Sequence, residues 1–157
     1  MGDVAAHHAL IGQSYDRSGS DTTGYDYEAV RLDRHSPVER AITERYLRRY
    51  IPDGATVADV GVGVGVGHYS ELLARHGCRI HLVDVSQRLL ATATARLETQ
   101  GLGRHIAEAW RASATDLSFL PDSSCDAVLL LGPLYHLGDP LERRQAIAEA
   151  ARVARSV

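Results

Sequence analysis

The chain has 157 residues and a net charge of −3, and 45% of its residues are hydrophobic. This length suits one domain with a sizeable core. The slightly acidic balance gives no global basic field that would recruit nucleic acid or anionic lipid. The sequence has no continuous apolar run of about 18 residues and no basic-then-apolar leader. It therefore predicts a cytoplasmic protein that binds neither nucleic acid nor a membrane.

Cysteine and histidine usage argues against disulfides and metal sites. Cys78 and Cys125 each stand at the start of an apolar, strand-like run. We predict that both are buried free thiols in a reducing compartment. The 8 histidines show no ligand spacing, so no metal site is predicted.

The N-terminal segment, residues 1–30, is polar and rich in Gly, Ser, Asp and Tyr. This composition predicts an irregular, flexible arm or a lid. Two interpretations of Tyr15, Tyr25 and Tyr27 remain open. They either close over a cationic ligand through their aromatic faces or lie scattered on the surface.

A helix is expected to begin after Ser36, which is followed by Pro37 and, three residues on, by Glu39. This pattern predicts a side-chain N-cap with a reciprocal glutamate. Four apolar or aromatic residues then recur every fourth position and predict one apolar stripe along the helix: Val38, Ile42, Tyr46 and Tyr50.

The rest of the chain alternates strand-like and helix-like segments. Continuous apolar runs separated by helical patterns are typical of βαβ units around a parallel sheet covered on both faces. The predicted strands span residues 56–60, 79–83, 105–112 and 126–131. The predicted helices span residues 68–76 and 86–100, with a last helix that Asp139 caps.

The first predicted strand leads into VADVGVGVGVGHYS, residues 57–70, in which four glycines stand at every second position. Glycine at a strand-to-helix turn permits positive φ and leaves room for a ligand. The spacing matches neither the G-x-G-x-x-G dinucleotide fingerprint nor a Walker loop. It reads D-x-G-x-G-x-G from Asp59 to Gly65, and an acid at the strand end suits a ligand with an ammonium group.

The second predicted strand ends in Asp84, 19 residues after Gly65. A carboxylate in this position can accept hydrogen bonds from the hydroxyls of a ribose. The two features together indicate a nucleoside-type ligand at the carboxyl ends of the first two strands.

Asp59–Gly65, Asp84 and the later motif GPLYHL at Gly132–Leu137 resemble class I S-adenosylmethionine-dependent methyltransferases, in particular a bacterial subgroup. The resemblance covers roughly residues 25–155. It implies a Rossmann-like α/β fold, a doubly wound parallel sheet with about four strands in the order 3-2-1-4. It also implies that residues 31–157 form a cofactor-binding domain and that S-adenosylmethionine is the cofactor.

The resemblance implies roles for individual residues. The glycine loop would lie against the methionine part of the cofactor, and Asp59 would hold its ammonium group. Asp84 would bind the ribose. The remaining cofactor contacts would come from Val85 at the adenine, from Ser113 and Ala114 in place of an acid–alanine pair, and from Leu131 and Gly132 beside the methyl donor. Tyr135 and His136 would border the acceptor pocket, with His136 as the base and Tyr135 orienting the acceptor.

The chain departs from the family pattern in two places. The glycine loop is about two residues too long, so the binding glycines are either 61, 63 and 65 or 63, 65 and 67. We favour Gly61, Gly63 and Gly65, because Asp59 must stay at the strand end. Family members also have about three further strands after the last helix. The fourth strand is therefore expected to be an open edge, covered by a second copy of the chain or by the rest of a longer protein.

The sequence thus predicts methyl transfer from S-adenosylmethionine to a small-molecule acceptor. The alternative is a non-catalytic module that binds the cofactor or a protein partner. A nicotinamide-dependent oxidoreductase is disfavoured because its fingerprint is absent. The identity of the acceptor cannot be read from the residues.

Overall fold

The computed structural model describes residues 4–17 and 30–155. Within them the chain forms five α-helices, four strands and several short turns of helix. The helices are α1 (Val4–Arg17), α2 (Pro37–Tyr50), α3 (His68–Arg75), α4 (Gln87–Thr99) and α5 (Pro140–Val153). The strands are β1 (Thr56–Val60), β2 (Arg79–Asp84), β3 (Ile106–Arg111) and β4 (Ala127–Leu129).

The four strands form one parallel sheet in the order β3-β2-β1-β4. Both the α/β class and the strand order predicted from the sequence are confirmed. A right-handed crossover through a helix links each parallel pair in such folds, which brings the strands' carboxyl ends to one edge. The continuous apolar runs follow from burial on both faces, since Val57, Ala58 and Val60 are all at most 1% exposed.

Two separate core clusters cover the two faces of the sheet. The larger cluster joins β1 and β2 to α2, α3 and α4 through residues such as Leu73, Ile80 and Leu97. The smaller one packs the other face against the segment 114–120 and α5. The two cysteines are buried and free, each in one of these clusters, as predicted.

Helix boundaries agree with the capping signals at two of three predicted sites. Ser86 accepts a hydrogen bond from Leu89 N at the start of α4, and Asp139 accepts one from Leu141 N at the start of α5. Ser36 makes no side-chain cap bond, so the capping box predicted there is wrong. Glu39 instead forms a bidentate pair with Arg31 of the preceding turn.

The apolar stripe on α2 exists but faces solvent. Its four members are more than half exposed, whereas Leu47, on the opposite side of the helix, is the residue of α2 that enters the core. Tyr46 and Tyr50 stack on each other, with the Arg49 guanidinium over the Tyr50 ring. The four-residue spacing correctly predicts that these side chains share one face of α2. It does not tell which face of the helix is buried.

The N-terminal segment is more regular than its composition predicts, because residues 4–17 form α1. Tyr25 and Tyr27 lie outside the described residues, and whether the segment acts as a lid stays a prediction. In the described ranges, no helix is long and apolar enough to cross a membrane, and no cluster of His, Cys, Asp and Glu could hold a metal.

The fourth strand is shorter than predicted, and one of its edges is partly covered. It spans only Ala127–Leu129 and pairs with β1. Just before it, Cys125 forms a parallel bridge with Ala154, supported by the Arg155 N to Cys125 O hydrogen bond of 2.8 Å. The residues after α5 therefore cover the beginning of this edge, and a dimer through the remainder stays a prediction.

Candidate functional site

A cleft lies beyond the carboxyl ends of β1 and β2, where ligands bind in doubly wound sheets. The cleft contains about 650 Å³ of empty volume, counted with its open mouth. One wall is built by the glycine loop and by the turn that follows β2. The opposite wall is built by α1 and the short helical turn Pro133–Tyr135. We call these the cofactor wall and the acceptor wall, after the roles that the sequence predicts for them.

The glycine loop is anchored to the end of β2 by its backbone. Gly61 N and Val62 N both donate to Val83 O, at 2.8 and 3.3 Å. The surplus residues are taken up in a compact turn that ends at Gly67, the N-cap of α3. Val66 adopts a positive φ of 45°, an unusual conformation for a β-branched residue. The extra residues of the loop are thus accommodated with local backbone strain rather than by an extension into the cleft.

The four glycines serve four different close contacts. A Cβ on Gly61 would lie 2.7 Å from the Pro133 ring, and one on Gly63 would lie 2.6 Å from Leu89 Cδ1. A Cβ on Gly65 would lie 2.5 Å from Leu32 Cδ1, and one on Gly67 would lie 2.9 Å from Ala93 Cβ. Each position therefore excludes a side chain because another part of the protein packs against it.

Only part of the predicted glycine set faces the cleft. Gly61 and Gly63 line it, as does Val64 between the predicted positions. Gly65 lies against Leu32 and does not line the cleft, which departs from the prediction. Which glycine register binds the cofactor stays a prediction; of the favoured set, Gly61 and Gly63 lie at the cleft. The third is displaced because the longer loop turns away toward the segment that precedes α2.

Asp59 is buried beneath the loop and does not line the cleft. Its Oδ2 accepts a hydrogen bond of 2.6 Å from the Ser70 hydroxyl. Burial raises the pKa of Asp59 to about 6. The Ser70 bond works against this shift, and the neighbouring Asp84 adds to it. Direct contact between Asp59 and a ligand ammonium is not seen in this geometry, so its influence would be electrostatic, from below the loop.

Asp84 lines the cleft at the end of β2, where the sequence predicts the ribose acid. Its two oxygens accept backbone hydrogen bonds from Gly63 N at 3.1 Å and from Ser86 N at 2.8 Å. The carboxylate thus joins the glycine loop to the turn that opens α4. Burial raises the pKa of Asp84 to about 6. The side chain is ionised near neutral pH and retains lone pairs for a hydroxyl donor.

Val85, Ser113 and Ala114, for which the resemblance implies adenine contacts, all line the cleft. The Ser113 hydroxyl bonds Thr115 Oγ1 at 2.9 Å and accepts from Thr115 N at 3.2 Å, so it closes its own turn. Asp116 accepts a bond from Ser118 N and does not line the cleft. Within the described residues, no acid replaces Ser113 at this end of the cleft.

Some residues after β4 line the cleft, whereas others are exposed to solvent. Gly132 lines the cleft, and a Cβ there would lie 2.9 Å from Val64 Cγ2. Leu131 does not line it and is 42% exposed. Tyr135 borders the mouth and is 69% exposed, whereas His136 lies deeper. Burial lowers the pKa of His136, so its imidazole is neutral at pH 7.

Helix α1 supplies side chains to the acceptor wall, and of these the sequence analysis considered only Tyr15, as one of three tyrosines that could close over a cationic ligand. His8, Ile11 and Tyr15 line the cleft. The Tyr15 hydroxyl lies 3.0 Å from His136 Nε2, and the two rings meet edge to face. His8 Nε2 lies 3.1 Å from Glu142 Oε1 of α5, and both side chains are nearly buried. The spacing of 3 and 4 residues between these positions was the available signal, since it places them on one helix face.

Comparisons with known proteins place this geometry in a family. A family model described as a methyltransferase domain matches residues 60–156, more than half of the chain. A ubiquinone biosynthesis O-methyltransferase of Caulobacter vibrioides is 28% identical over 148 residues. That match covers 89% of this chain and 54% of the relative, so the chain spans about half the length of the curated relative it matches.

Solved structures show the same fold. The cyclase SpnF superposes with a TM-score of 0.74 at 20% identity, over 94% of this chain and 56% of that protein. A methyltransferase from Methanosarcina mazei, described as S-adenosylmethionine-dependent, superposes with a TM-score of 0.60 at 26% identity. That match covers 70% of this chain and 52% of the other.

The residues present fit S-adenosylmethionine, because the buried Asp84 carboxylate and the backbone of Gly61 and Gly63 line one wall of the cleft. The family match and the Methanosarcina mazei methyltransferase support this cofactor. The chain belongs to the methyltransferase domain family.

Proposed function

We propose that the chain transfers the methyl group of S-adenosylmethionine to a small-molecule acceptor. One observation carries the proposal: the cofactor wall, with Gly61, Gly63 and Asp84, faces the same cleft as His136 and Tyr15 of the acceptor wall. A methyl donor on one wall and a proton acceptor on the other are the two components that such a transfer uses.

The cofactor wall would hold the nucleoside by shape and charge. Asp84 would accept hydrogen bonds from the ribose hydroxyls, Val85 would pack on the adenine, and the backbone of Gly61 and Gly63 would lie along the amino-acid part. Asp59 and Asp84 also give this wall a negative potential that favours a ligand with sulfonium and ammonium charges. When bound, the cofactor supplies an activated methyl group, and the protein contributes its position.

The acceptor wall would handle the proton that an acceptor hydroxyl or amine must lose. His136 is neutral at pH 7, so it can accept a proton without first losing one. Its Nε2 is engaged with the Tyr15 hydroxyl, which fixes the ring and leaves Nδ1 as the nitrogen that would accept the proton, and Tyr135 stands at the mouth to contact the acceptor. His136 would therefore act as the general base, as the sequence analysis predicts.

The proposed acceptor is small because α1 covers one side of the cleft. His8, Ile11 and Tyr15 project from it into the cavity and restrict access from that direction. The Caulobacter relative is named for O-methylation in ubiquinone biosynthesis, so small hydroxylated aromatic compounds are the first acceptors to test.

The test measures transfer from methyl-labelled S-adenosylmethionine to a panel of phenols, catechols, carboxylic acids and amines. We expect label in at least one class, and about a 100-fold loss of turnover in His136→Gln if this residue is the base. His76→Gln is the matched control, since His76 is a half-exposed histidine bonded to Asp53 far from the cleft. Equal turnover in His136→Gln and the wild type would remove His136 from the mechanism.

A second candidate function is cofactor binding without methyl transfer. The neighbour SpnF has this fold and is described as a cyclase, so the fold alone does not determine the reaction. The chain also covers only about half of its curated relative. Tight binding of S-adenosylhomocysteine together with no transfer to any acceptor class would favour this alternative.

We also propose a homodimer through the part of the β4 edge that Ala154 leaves uncovered. Unpaired strand edges favour pairing with another chain. Sedimentation velocity is expected to show a dimer, and a monomer at all concentrations would contradict this proposal.

A further inference from the structure

Helix α1 rests directly on the turn that links β2 to α4. The closest approach is at Gly12, where a Cβ would lie 2.7 Å from Val85 O. A backbone-to-backbone contact of this kind requires glycine, because any side chain would separate the two segments. The face of α1 that lines the cleft is thus seated on the segment that follows the ribose acid Asp84.

Asp16, one turn further along α1, fixes this seat through its carboxylate. Its Oδ1 accepts hydrogen bonds from the Ser86 hydroxyl at 2.6 Å and from Arg88 N at 3.1 Å. The Arg88 guanidinium returns a bond of 3.1 Å to Asp16 O. The carboxylate therefore satisfies an unpaired N–H in the first turn of α4, a position where negative charge is stabilised by the helix dipole.

Ser86 connects Asp16 to the cofactor wall. Its backbone N–H donates to Asp84 Oδ1 at 2.8 Å, while its hydroxyl donates to Asp16 and accepts from Leu89 N. Ser86 is fully buried, so its bonds with Asp84 and Leu89 are shielded from solvent, whereas the Asp16 side chain at the other end is 30% exposed. A continuous series of hydrogen bonds runs from α1 through Ser86 to the carboxylate that lines the cleft.

We propose that Asp16 is a positioning residue for the cofactor site. By fixing Ser86 it holds the Asp84 carboxylate in its orientation toward the cleft. It also makes the position of α1 depend on whether the cofactor site is filled. Because α1 also carries His8 and Tyr15, cofactor binding and assembly of the acceptor wall become linked. This inference rests on the proposed function, in which Asp84 binds the ribose.

A double-mutant cycle tests the proposal. The affinity for S-adenosylhomocysteine is measured by titration calorimetry in the wild type, Asp16→Asn, Asp84→Asn and the double variant. Asparagine keeps the side-chain shape while it removes the charge. We expect Asp16→Asn to weaken binding about fivefold in the wild type and less than twofold in the Asp84→Asn background, since residues of one hydrogen-bond network are not additive.

The same loss in both backgrounds would overturn the proposal, because it would show that Asp16 only anchors α1. An unchanged affinity in Asp16→Asn would overturn it as well. Failure of the wild type to bind S-adenosylhomocysteine would overturn the proposed function together with this inference. If the wild type binds S-adenosylhomocysteine and the effects of Asp16→Asn and Asp84→Asn on its affinity simply add, the inference alone is overturned.

Asp126→Asn is the matched control, because Asp126 also accepts a backbone bond from another element, Thr56 N at 2.8 Å, and pairs with Arg155. It lies at the opposite edge of the sheet, so its loss should leave the affinity unchanged. If the double variant does not fold, Ser86→Gly replaces Asp84→Asn in the cycle. Glycine is a tolerated N-cap, and it removes the hydroxyl through which Asp16 acts.

Discussion

The two walls of the cleft differ in how they are held together. The cofactor wall is built from residues close in the chain, and backbone hydrogen bonds fix it: Gly61 N to Val83 O, and Gly63 N to the Asp84 carboxylate. The acceptor wall joins residues as far apart as Tyr15 and His136, 121 positions, through side-chain contacts. We therefore expect the cofactor wall to be rigid, because backbone bonds hold it. The acceptor wall depends on a few side-chain contacts that a single substitution can remove.

The largest effect is expected at the centre of the cofactor wall. Asp84→Ala removes the carboxylate proposed to bind the ribose and leaves Gly63 N and Ser86 N without their partner. Two charge-assisted hydrogen bonds to a ligand are worth about 3 kcal/mol, or roughly a 100-fold loss of cofactor affinity. Calorimetric titration with S-adenosylhomocysteine measures the change. A loss below about threefold would show that the ribose does not bind at Asp84.

The contact between the two walls is tested at Gly61. Gly61→Ala places a methyl group 2.7 Å from the Pro133 ring and forces alanine into a φ of 86°. The strain and the clash together should lower the free energy of unfolding by about 2.5 kcal/mol. Urea denaturation measures this change.

Gly54→Ala separates strain from clash in that measurement. Gly54 has a similar φ of 78° but no heavy atom within 4 Å of an added Cβ. Gly54→Ala should lower the free energy of unfolding by only about 1 kcal/mol, because the positive φ is its sole penalty. Equal costs for the two variants would show that Pro133 moves away freely and that the walls are not packed together.

Asp59 tests whether the buried acids of the cofactor wall oppose folding. The raised pKa of about 6 means that the folded state holds this proton more tightly than the unfolded chain, whose value is 3.8. The stabilising contribution of Asp59 is thus complete below pH 4 and is lost as the pH rises to about 6. Asp59→Asn should therefore be about 2 kcal/mol more stable than the wild type at pH 7, but not at pH 4.

Urea unfolding at the two pH values checks this prediction. Glu98→Gln, at an exposed position of α4, is the control measured at the same two pH values. A variant at position 59 that is destabilised equally at both pH values would indicate that the Ser70 bond, rather than the charge, dominates there.

The smallest effect is expected in the acceptor wall. Tyr15→Phe keeps the ring against His136 but removes the hydroxyl that lies 3.0 Å from Nε2. One neutral hydrogen bond is worth about 1 kcal/mol, so kcat should fall about fivefold, with little change in cofactor affinity. Steady-state kinetics measure both, with the exposed Tyr50→Phe as control. A large loss of cofactor affinity would show that Tyr15 belongs to the cofactor wall instead.

Local signals predict some elements well and others poorly. Ser86 and Asp139 cap their helices as predicted, because a cap needs only residues within one turn. Ser36 has an equally good local pattern but makes no side-chain cap bond, and the reciprocal bond is absent as well, since Ser36 N donates to Arg31 O and the Glu39 carboxylate pairs with the Arg31 guanidinium. The competing partner lies outside the motif, so the motif alone could not reveal it.

Some of the predicted site residues line the cleft, and others do not. Asp84, Val85 and Gly132 line the cleft where their strand-end positions predict. Gly65 and Leu131 do not, because the longer loop turns toward Leu32 and the chain after β4 turns Leu131 outward. The orientation of single residues in irregular segments depends on what packs against them, and no periodic pattern encodes it.

The sequence by itself determined the parallel sheet, the glycine-rich turn after β1 and the acid at the end of β2. Hydrophobic runs, glycine spacing and strand ends are local properties that survive in any tertiary context. Three further features became visible only in the folded protein: α1 lines the cleft, the α2 stripe faces solvent, and Asp59 is buried and bonded by Ser70. Those outcomes depend on which distant surfaces bury the most apolar area together, and that is a property of the whole chain.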